Sequence, residues 1–311
     1  MDIFILWKKK LSTSYGWTNY CERNEGGLYM IKANDTVFKF YLAMMDSFSE
    51  YLSEKYPDSN SIEDTKHYQT NIIEKIVRMF HSLELLTKNT IDEVSARCVL
   101  RGILDSITTY CFIYQRTDKE EILFRHYLYA LDGWKVYNES VLAISEKNDF
   151  CYLEEHFCNY AIKQIEDKLH LHPFYTQDRS AANEIILSAR WNYESLQNPR
   201  SIKYGEMYSL VGFNSSLTKY FQGYLSQFVH GLSLSNKNTN SEILKTVMYE
   251  SIIFADKFVQ TIYQTFHSKE IINHFLCSDT FQKFLSSKDF NINDLADFAF
   301  ALVQNGKTLL I

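Results

Sequence analysis

The sequence predicts an all-α fold, a multi-helix bundle of about ten helices, and three observations carry that expectation. Glycine (10) and proline (3) are scarce in 311 residues, whereas a sandwich or barrel of this length uses Gly, Pro and Asn-Gly at many tight turns. No run alternates apolar and polar residues convincingly. Apolar residues instead recur at helical spacing in segment after segment. The 22 Tyr and 22 Phe fit thick helix–helix packing; a stacking surface for bases or sugars is the other use for so many rings.

The elements follow in order. Residues 1–33 read as an N-terminal arm, a short helix and then irregular chain around Gly16, Gly26 and Gly27. Asn34 or Asp35 caps a helix that runs to about Tyr56, with Val37, Phe40, Tyr41, Met44, Met45 and Phe48 at helical spacing, and Pro57 ends it. Ser61 and Asp64 form a capping-box-like start for a helix through Leu86. Thr90 caps the next, which continues to about Tyr114. Residues 118–145 and 151–170 supply two more. A long loop at 170–204 holds Pro173 and Pro199, interrupted by a short helix around Ala181–Trp191. An apolar helix pair near 206–232, a long helix near 240–267 and shorter ones near 270–285 and 292–304 complete the chain. This gives three parts: the arm, a core bundle at 34–235, and C-terminal helices at 236–311 packed on that core.

Composition narrows the function classes. Hydrophobic residues make up 46% and charged residues 23%, an ordinary globular balance that argues against wholesale disorder. The net charge of −6 gives no global electrostatic reason to bind nucleic acid. No window approaches the ~20 apolar residues of a membrane span, and the apolar run at Ile3–Trp7 is too short for a signal peptide. The six cysteines are scattered without a Cys-x-x-Cys pair. They read as free thiols, so a cytoplasmic location without membrane contact is expected.

The most informative segment is Ser95–Tyr114. Its only charged residues are Arg97, Arg101 and Asp105, which at this spacing form one stripe roughly 80° wide. A helix otherwise apolar is normally central, so the stripe must face polar groups or a cleft. Arg101 and Asp105 can pair along the helix, in the less favourable order. Two readings stay open: a satisfied internal ion pair that sets register, or an anion-holding, catalytic cleft. Gly102, costing roughly 1 kcal/mol relative to Ala in a helix, points to a close crossing there.

The second unusual stretch is Ser215–Gly231. Gly223, Ser226 or Gln227, and His230 share one stripe, with Tyr220 and Tyr224 on the next sector. Close packing and a dipole-complementing histidine explain it blandly. Functionally, His230 would meet Arg101 and Asp105 as a general acid or base, with Arg97, Tyr220 and Tyr224 as binding residues. Arg125-His126 reads as a solvated face, because adjacent helical residues diverge by about 100°. His81-Ser-Leu-Glu84 and His267-Ser-Lys-Glu270 reverse the Glu-x-x-His order of di-iron bundles and read as surface or caps. His170-Leu-His172 lacks a third metal ligand. Phosphate-cradling glycine loops and the Gly-x-Ser-x-Gly elbow are absent, so no metal and no cofactor is expected.

Three features together resemble an uncharacterised bacterial family described as a domain of unknown function. They are His81 leading into a helix, the Arg101-Gly-Ile-Leu-Asp105 helix, and the Tyr-Leu-Ser-Gln-Phe-Val-His run ending at His230. The resemblance covers roughly residues 75–232; this chain carries Asp105 where the family more often has Glu, which shortens the carboxylate's reach. Members look distantly like the HEPN helical group, whose Arg-x(4–6)-His motif cleaves RNA. No arginine here has a histidine at that spacing. The resulting expectation is a helical protein of unknown activity whose polar cleft at Arg101, Asp105 and His230 serves binding or interaction. The alternative is a metal-independent ribonuclease or phosphodiesterase of a defence or toxin system. The partners left open are a second copy of the chain and RNA or another phosphate-containing ligand.

Overall fold

The computed structural model describes residues 26–59, 61–90, 92–144, 149–213, 215–231, 241–266 and 269–286. Among the described residues there are twelve α-helices and no β-strand: α1 (Gly26–Lys55), α2 (Thr65–Leu85), α3 (Glu93–Tyr114), α4 (Lys119–Leu142), α5 (Asp149–Leu171), α6 (Pro173–Gln177), α7 (Arg179–Leu187), α8 (Tyr204–Leu210), α9 (Ser215–Val229), α10 (Ser241–Phe266), α11 (Lys269–Cys277) and α12 (Asp279–Ser286). The expected all-α architecture holds. The expected helix near 292–304, the first 25 residues, Cys21 and His267 lie outside the described residues.

Helix ends differ from expectation where two capping residues compete. α1 begins at Gly26, so residues 26–33 of the expected arm are helical, and Asp35 lies inside the helix, paired with Lys39 at 2.8 Å. Asp64 alone caps α2, its carboxylate accepting the His67 amide at 3.1 Å. Asp92 rather than Thr90 caps α3 by accepting the Ser95 amide at 3.0 Å, and Thr90 closes a π-turn over Leu86–Thr90.

The chain divides into two compact units. One draws its described residues from the chain up to Pro57, from Thr70–Thr108 and from Tyr208 onward; the other takes Asp58–Gln69 and Thr109–Met207. The expected 34–235 core is therefore shared between both units.

In the first unit, α10, α11 and α12 pack on α1. The reason is visible in α1, where Val37, Tyr41, Met45, Phe48 and Leu52 repeat at four and three residues and are all buried. The Phe80 ring stacks on Phe258 at 6.2 Å and approaches Phe38 at 6.3 Å. Phe275 meets the edges of Phe40 and Phe48. Each such buried ring stabilises the fold by about 2–3 kcal/mol. A cavity of about 100 Å³ remains between α1, α10 and α11, lined by Met44, Phe48, Val259, Gln260, Tyr263, Gln264 and Ile272. It carries no charged group.

In the second unit, α4 and α5 form an antiparallel hairpin. Lys135 pairs with Glu166 at 3.1 Å, and Asn138 donates to Asn159 at 3.3 Å, a ladder that runs in opposite directions along the two helices. Asp118 caps α4 by accepting the Glu120 amide at 2.9 Å. α7 ends with Ala189 at φ 45°, while the Arg190 amide donates to the Ile185 carbonyl at 2.9 Å. This is a Schellman-type stop with alanine where glycine is usual. Among the described residues no helix is long and apolar enough to cross a membrane. Cys98, Cys111, Cys151, Cys158 and Cys277 are free thiols.

Candidate functional site

With its start at Glu93, α3 carries four ionisable residues on one stripe: Glu93, Arg97, Arg101 and Asp105. All lie in the first unit, and Tyr208 of α8, with α9 and α10, supplies their partners within that unit.

The inner end is closed. Arg97 is 1% exposed and donates from Nε to Glu93 at 2.8 Å and from Nη1 to Glu250 of α10 at 2.9 Å. Tyr220 of α9 donates its hydroxyl to the other Glu250 oxygen at 2.9 Å. The Arg97 guanidinium lies 4.5 Å from the Tyr224 ring centre and 5.2 Å from that of Phe228, and Tyr220 and Tyr224 stack at 5.0 Å. The aromatic faces supply negative quadrupole to a desolvated cation. Burial disfavours the charged form of Arg97, but Glu250 and Glu93 outweigh it and hold the pKa up. Burial pushes the Glu250 carboxyl up, against the pull of Arg97 and Tyr220.

The outer end is half open. Arg101 donates from Nε to Asp105 at 2.9 Å and from Nη1 to the Ser226 hydroxyl of α9 at 3.0 Å. Tyr208 of α8 donates to the other Asp105 oxygen at 2.5 Å, and its ring lies 5.7 Å from the Arg101 guanidinium. The Arg101 and Asp105 side chains are 15% and 29% exposed, so water reaches this end and not the Arg97 end. Along the whole seam three carboxylates face two guanidiniums.

Of the residues expected to form the site, Arg97, Arg101, Asp105, Tyr220 and Tyr224 gather on this seam. His230 follows the end of α9, one turn after Ser226, with its amide on the Ser226 carbonyl at 3.1 Å. Its ring is exposed, and among the described residues no hydrogen bond or ion pair joins it to Arg101 or Asp105. Gly223 is exposed with nothing within 4 Å of where a Cβ would stand, so this glycine does not mark close packing. Gly102 does face a neighbour, since a Cβ there would meet the Met79 Cε at 2.5 Å. The crossing is close, but against the end of a flexible side chain.

Sequence reasoning missed Glu93, Tyr208 and Glu250. A signal existed for Glu250: a lone acid within Val247-Met-Tyr-Glu-Ser-Ile-Ile253 is as anomalous as the arginines of α3.

Arg125 and His126 correct an expectation. Both are fully buried, not on a solvated face. Arg125 pairs with Glu121 at 2.9 Å and donates to the Trp191 and Tyr193 carbonyls at 2.9 Å each, with its guanidinium 3.8 Å from the Tyr193 ring centre. His126 shares a 2.9 Å hydrogen bond with Tyr114 at Nδ1 and donates from Nε2 to the Ile62 carbonyl at 2.8 Å. Burial lowers its pKa to about 4. The two divergent directions of adjacent helical residues thus serve two different loops.

His81 lies on α2 at the surface, bonded to Asp46 at 2.7 Å and 3.9 Å from Glu84; Asp46 first and then Glu84 raise it to about 9. His172 caps α6 by accepting the Phe174 amide on Nδ1 at 3.2 Å, which leaves the proton on Nε2, 3.4 Å from Glu120. Among the described residues no group of three His, Cys, Asp or Glu side chains could hold a metal ion.

Set against protein-family models, curated proteins and solved structures, the chain finds no match.

Proposed function

We propose that this chain is a helical binding and interaction protein rather than a hydrolase, with Arg101, Asp105 and Ser226 forming the water-accessible end of an otherwise structural polar seam. The observation that carries the reading is the pairing of Arg101: its Nε is on Asp105 and its Nη1 on Ser226. An arginine that stabilises developing phosphate charge works best with its charge aimed at substrate, and here a carboxylate already balances it. A histidine general base also wants a second group that fixes its ring, and among the described residues none holds His230. The resemblance to a helical bacterial family agrees with this reading, as does the missing Arg-x(4–6)-His spacing.

The second reading, a metal-independent ribonuclease of a defence or toxin system, is favoured by one contact. Ser226, the residue Arg101 grips, stands one helical turn before His230. Incubating single-stranded RNA with wild type, Arg101→Ala and His230→Ala in the presence of a chelator separates the two. Intact RNA in every sample is the expected result. Cleavage by wild type that both variants abolish would overturn the interaction reading in favour of the nuclease.

A further inference from the structure

Among the described residues, one helix face of the second unit has no partner. On α5, Phe150, Leu153, Phe157 and Tyr160 are 61%, 52%, 52% and 62% exposed. The opposite face, with Cys151, Cys158, Ile165 and Leu169, is buried, so α5 carries two apolar faces and α4 does not cover both. These four are spaced three, four and three apart, the a/d pattern of a coiled-coil seam; Tyr152 and Leu171 of the same helix are also exposed and lie off this stripe. The seam itself contains no charge. Tyr137 of α4, 43% exposed, borders it by donating to Glu154 at 2.9 Å.

We infer that a second copy of the chain covers this face, with two α5 helices packed antiparallel across a two-fold axis. The inference deepens the interaction reading and rests on it. Its first support is symmetry of position. An antiparallel coiled coil sets a residues against d residues, and here that pairs Phe150 with Tyr160 and Leu153 with Phe157, the four layers reading the same in either direction. A self-complementary patch of this kind is what an isologous interface requires. The second support is area. Fully buried aromatic side chains contribute 150–250 Å², so the four seam residues and Tyr137 offer about 500 Å² per copy and about 1,000 Å² in all, the lower bound of a specific interface. Aromatic enrichment with charge depleted at the centre is also interface composition. An interface at the low end of area is of the weak, reversible kind, and the proposal places the dimer in the micromolar range.

Sedimentation equilibrium on the full chain tests the proposal. Wild type is expected to show a monomer–dimer equilibrium, and Leu153→Glu and Phe157→Glu are expected to stay monomeric with unchanged circular dichroism. A wild type that is monomeric throughout the micromolar range, or a folded glutamate variant that still dimerises, overturns it. A second variant reads register independently of folding losses. Residues 150 and 160 stand about 15 Å apart along one helix, beyond disulfide reach. Phe150→Cys/Tyr160→Cys is therefore expected to crosslink between copies on mild oxidation, while neither single variant does. Failure of that crosslink while dimers persist overturns the antiparallel packing. Assaying RNA on the same samples beside Arg101→Ala and His230→Ala keeps the two readings apart: wild-type cleavage that both of those variants abolish overturns the interaction reading itself, whereas a monomer that leaves RNA intact removes only the second copy.

Discussion

Arg97 and Glu250 meet at 2.9 Å with 1% and 3% of their side chains exposed, joining α3 to α10 through charges that water does not reach. Such a pair holds little net stability over a well-packed apolar alternative, because desolvation of both ions opposes their attraction. Its strength is conditional on completeness. Glu93, Tyr220 and the Tyr224 ring add a second carboxylate, a hydroxyl donor and an aromatic face to the pair, so removing one member strands the others.

That asymmetry makes a prediction. Arg97→Ala leaves Glu93 and Glu250 buried without their cation and should cost about 3–5 kcal/mol. Arg97→Met combined with Glu250→Leu removes both charges of the α3–α10 pair and strands only Glu93, in the first turn of α3 where the helix dipole favours an acid, so it should lose less than the single change. Chemical denaturation measures both; a double variant as unstable as Arg97→Ala would show that packing, not stranded charge, sets the cost.

The outer pair should behave differently. Arg101 and Asp105 are partly solvated, so Arg101→Ala should cost only about 1 kcal/mol. Tyr208→Phe, which takes away the hydroxyl on Asp105, should cost about 1.5–3 kcal/mol as the loss of a hydrogen bond to a charged group. The same denaturation series decides it, and an Arg101→Ala loss equal to that of Arg97→Ala would contradict the seam's division into closed and half-open ends.

Arg125 predicts a local rather than a site effect. Its guanidinium reaches two carbonyls, one carboxylate and a ring face together, a geometry that lysine cannot reproduce. Arg125→Lys should therefore release residues 191–194, read as faster amide exchange and proteolysis there. Unchanged protection of that segment would remove the pinning role.

These contrasts show what a sequence makes legible. Helical periodicity and scarce Gly and Pro were enough for the fold class, since both act locally along the chain. The α3 stripe was legible for the same reason: spacing fixes which side chains share a face. Partners were not. Glu250 lies 153 residues from Arg97, and His126 finds the Ile62 carbonyl 64 residues away. No local rule links such positions, and a polar pair on an amphipathic helix looks solvated until a distant loop covers it. The division into two units was illegible because three of its four boundaries, Gln69/Thr70, Thr108/Thr109 and Met207/Tyr208, fall inside α2, α3 and α8, where no linker composition marks them; only Pro57/Asp58 falls at a break the sequence shows.

Two histidines predict opposite pH slopes. Asp46 and Glu84 raise His81 from 6.5 to about 9, so its contribution is full below pH 6.5 and is lost as pH rises through 9. Burial lowers His126 from 6.5 to about 4, so the unfolded chain takes up that proton first, and its contribution is present above pH 6.5 and lost as pH falls towards 4. A shift of this size is worth about 3 kcal/mol across that interval for the buried His126; the half-exposed His81 contributes less because water screens its pairing. Stability should thus peak near pH 6.5 with respect to these two groups. His81→Gln should flatten the alkaline limb of a melting-temperature profile and leave the acid limb between pH 6.5 and 4.5 alone, with a change only below that, where Glu84 loses the partner that holds its carboxyl down. His126→Asn should flatten the acid limb from pH 6.5 downward. The comparison is of slopes within each variant, so it survives any general loss of stability from the substitution. Wild-type slopes on both limbs in both variants would sink the assignment.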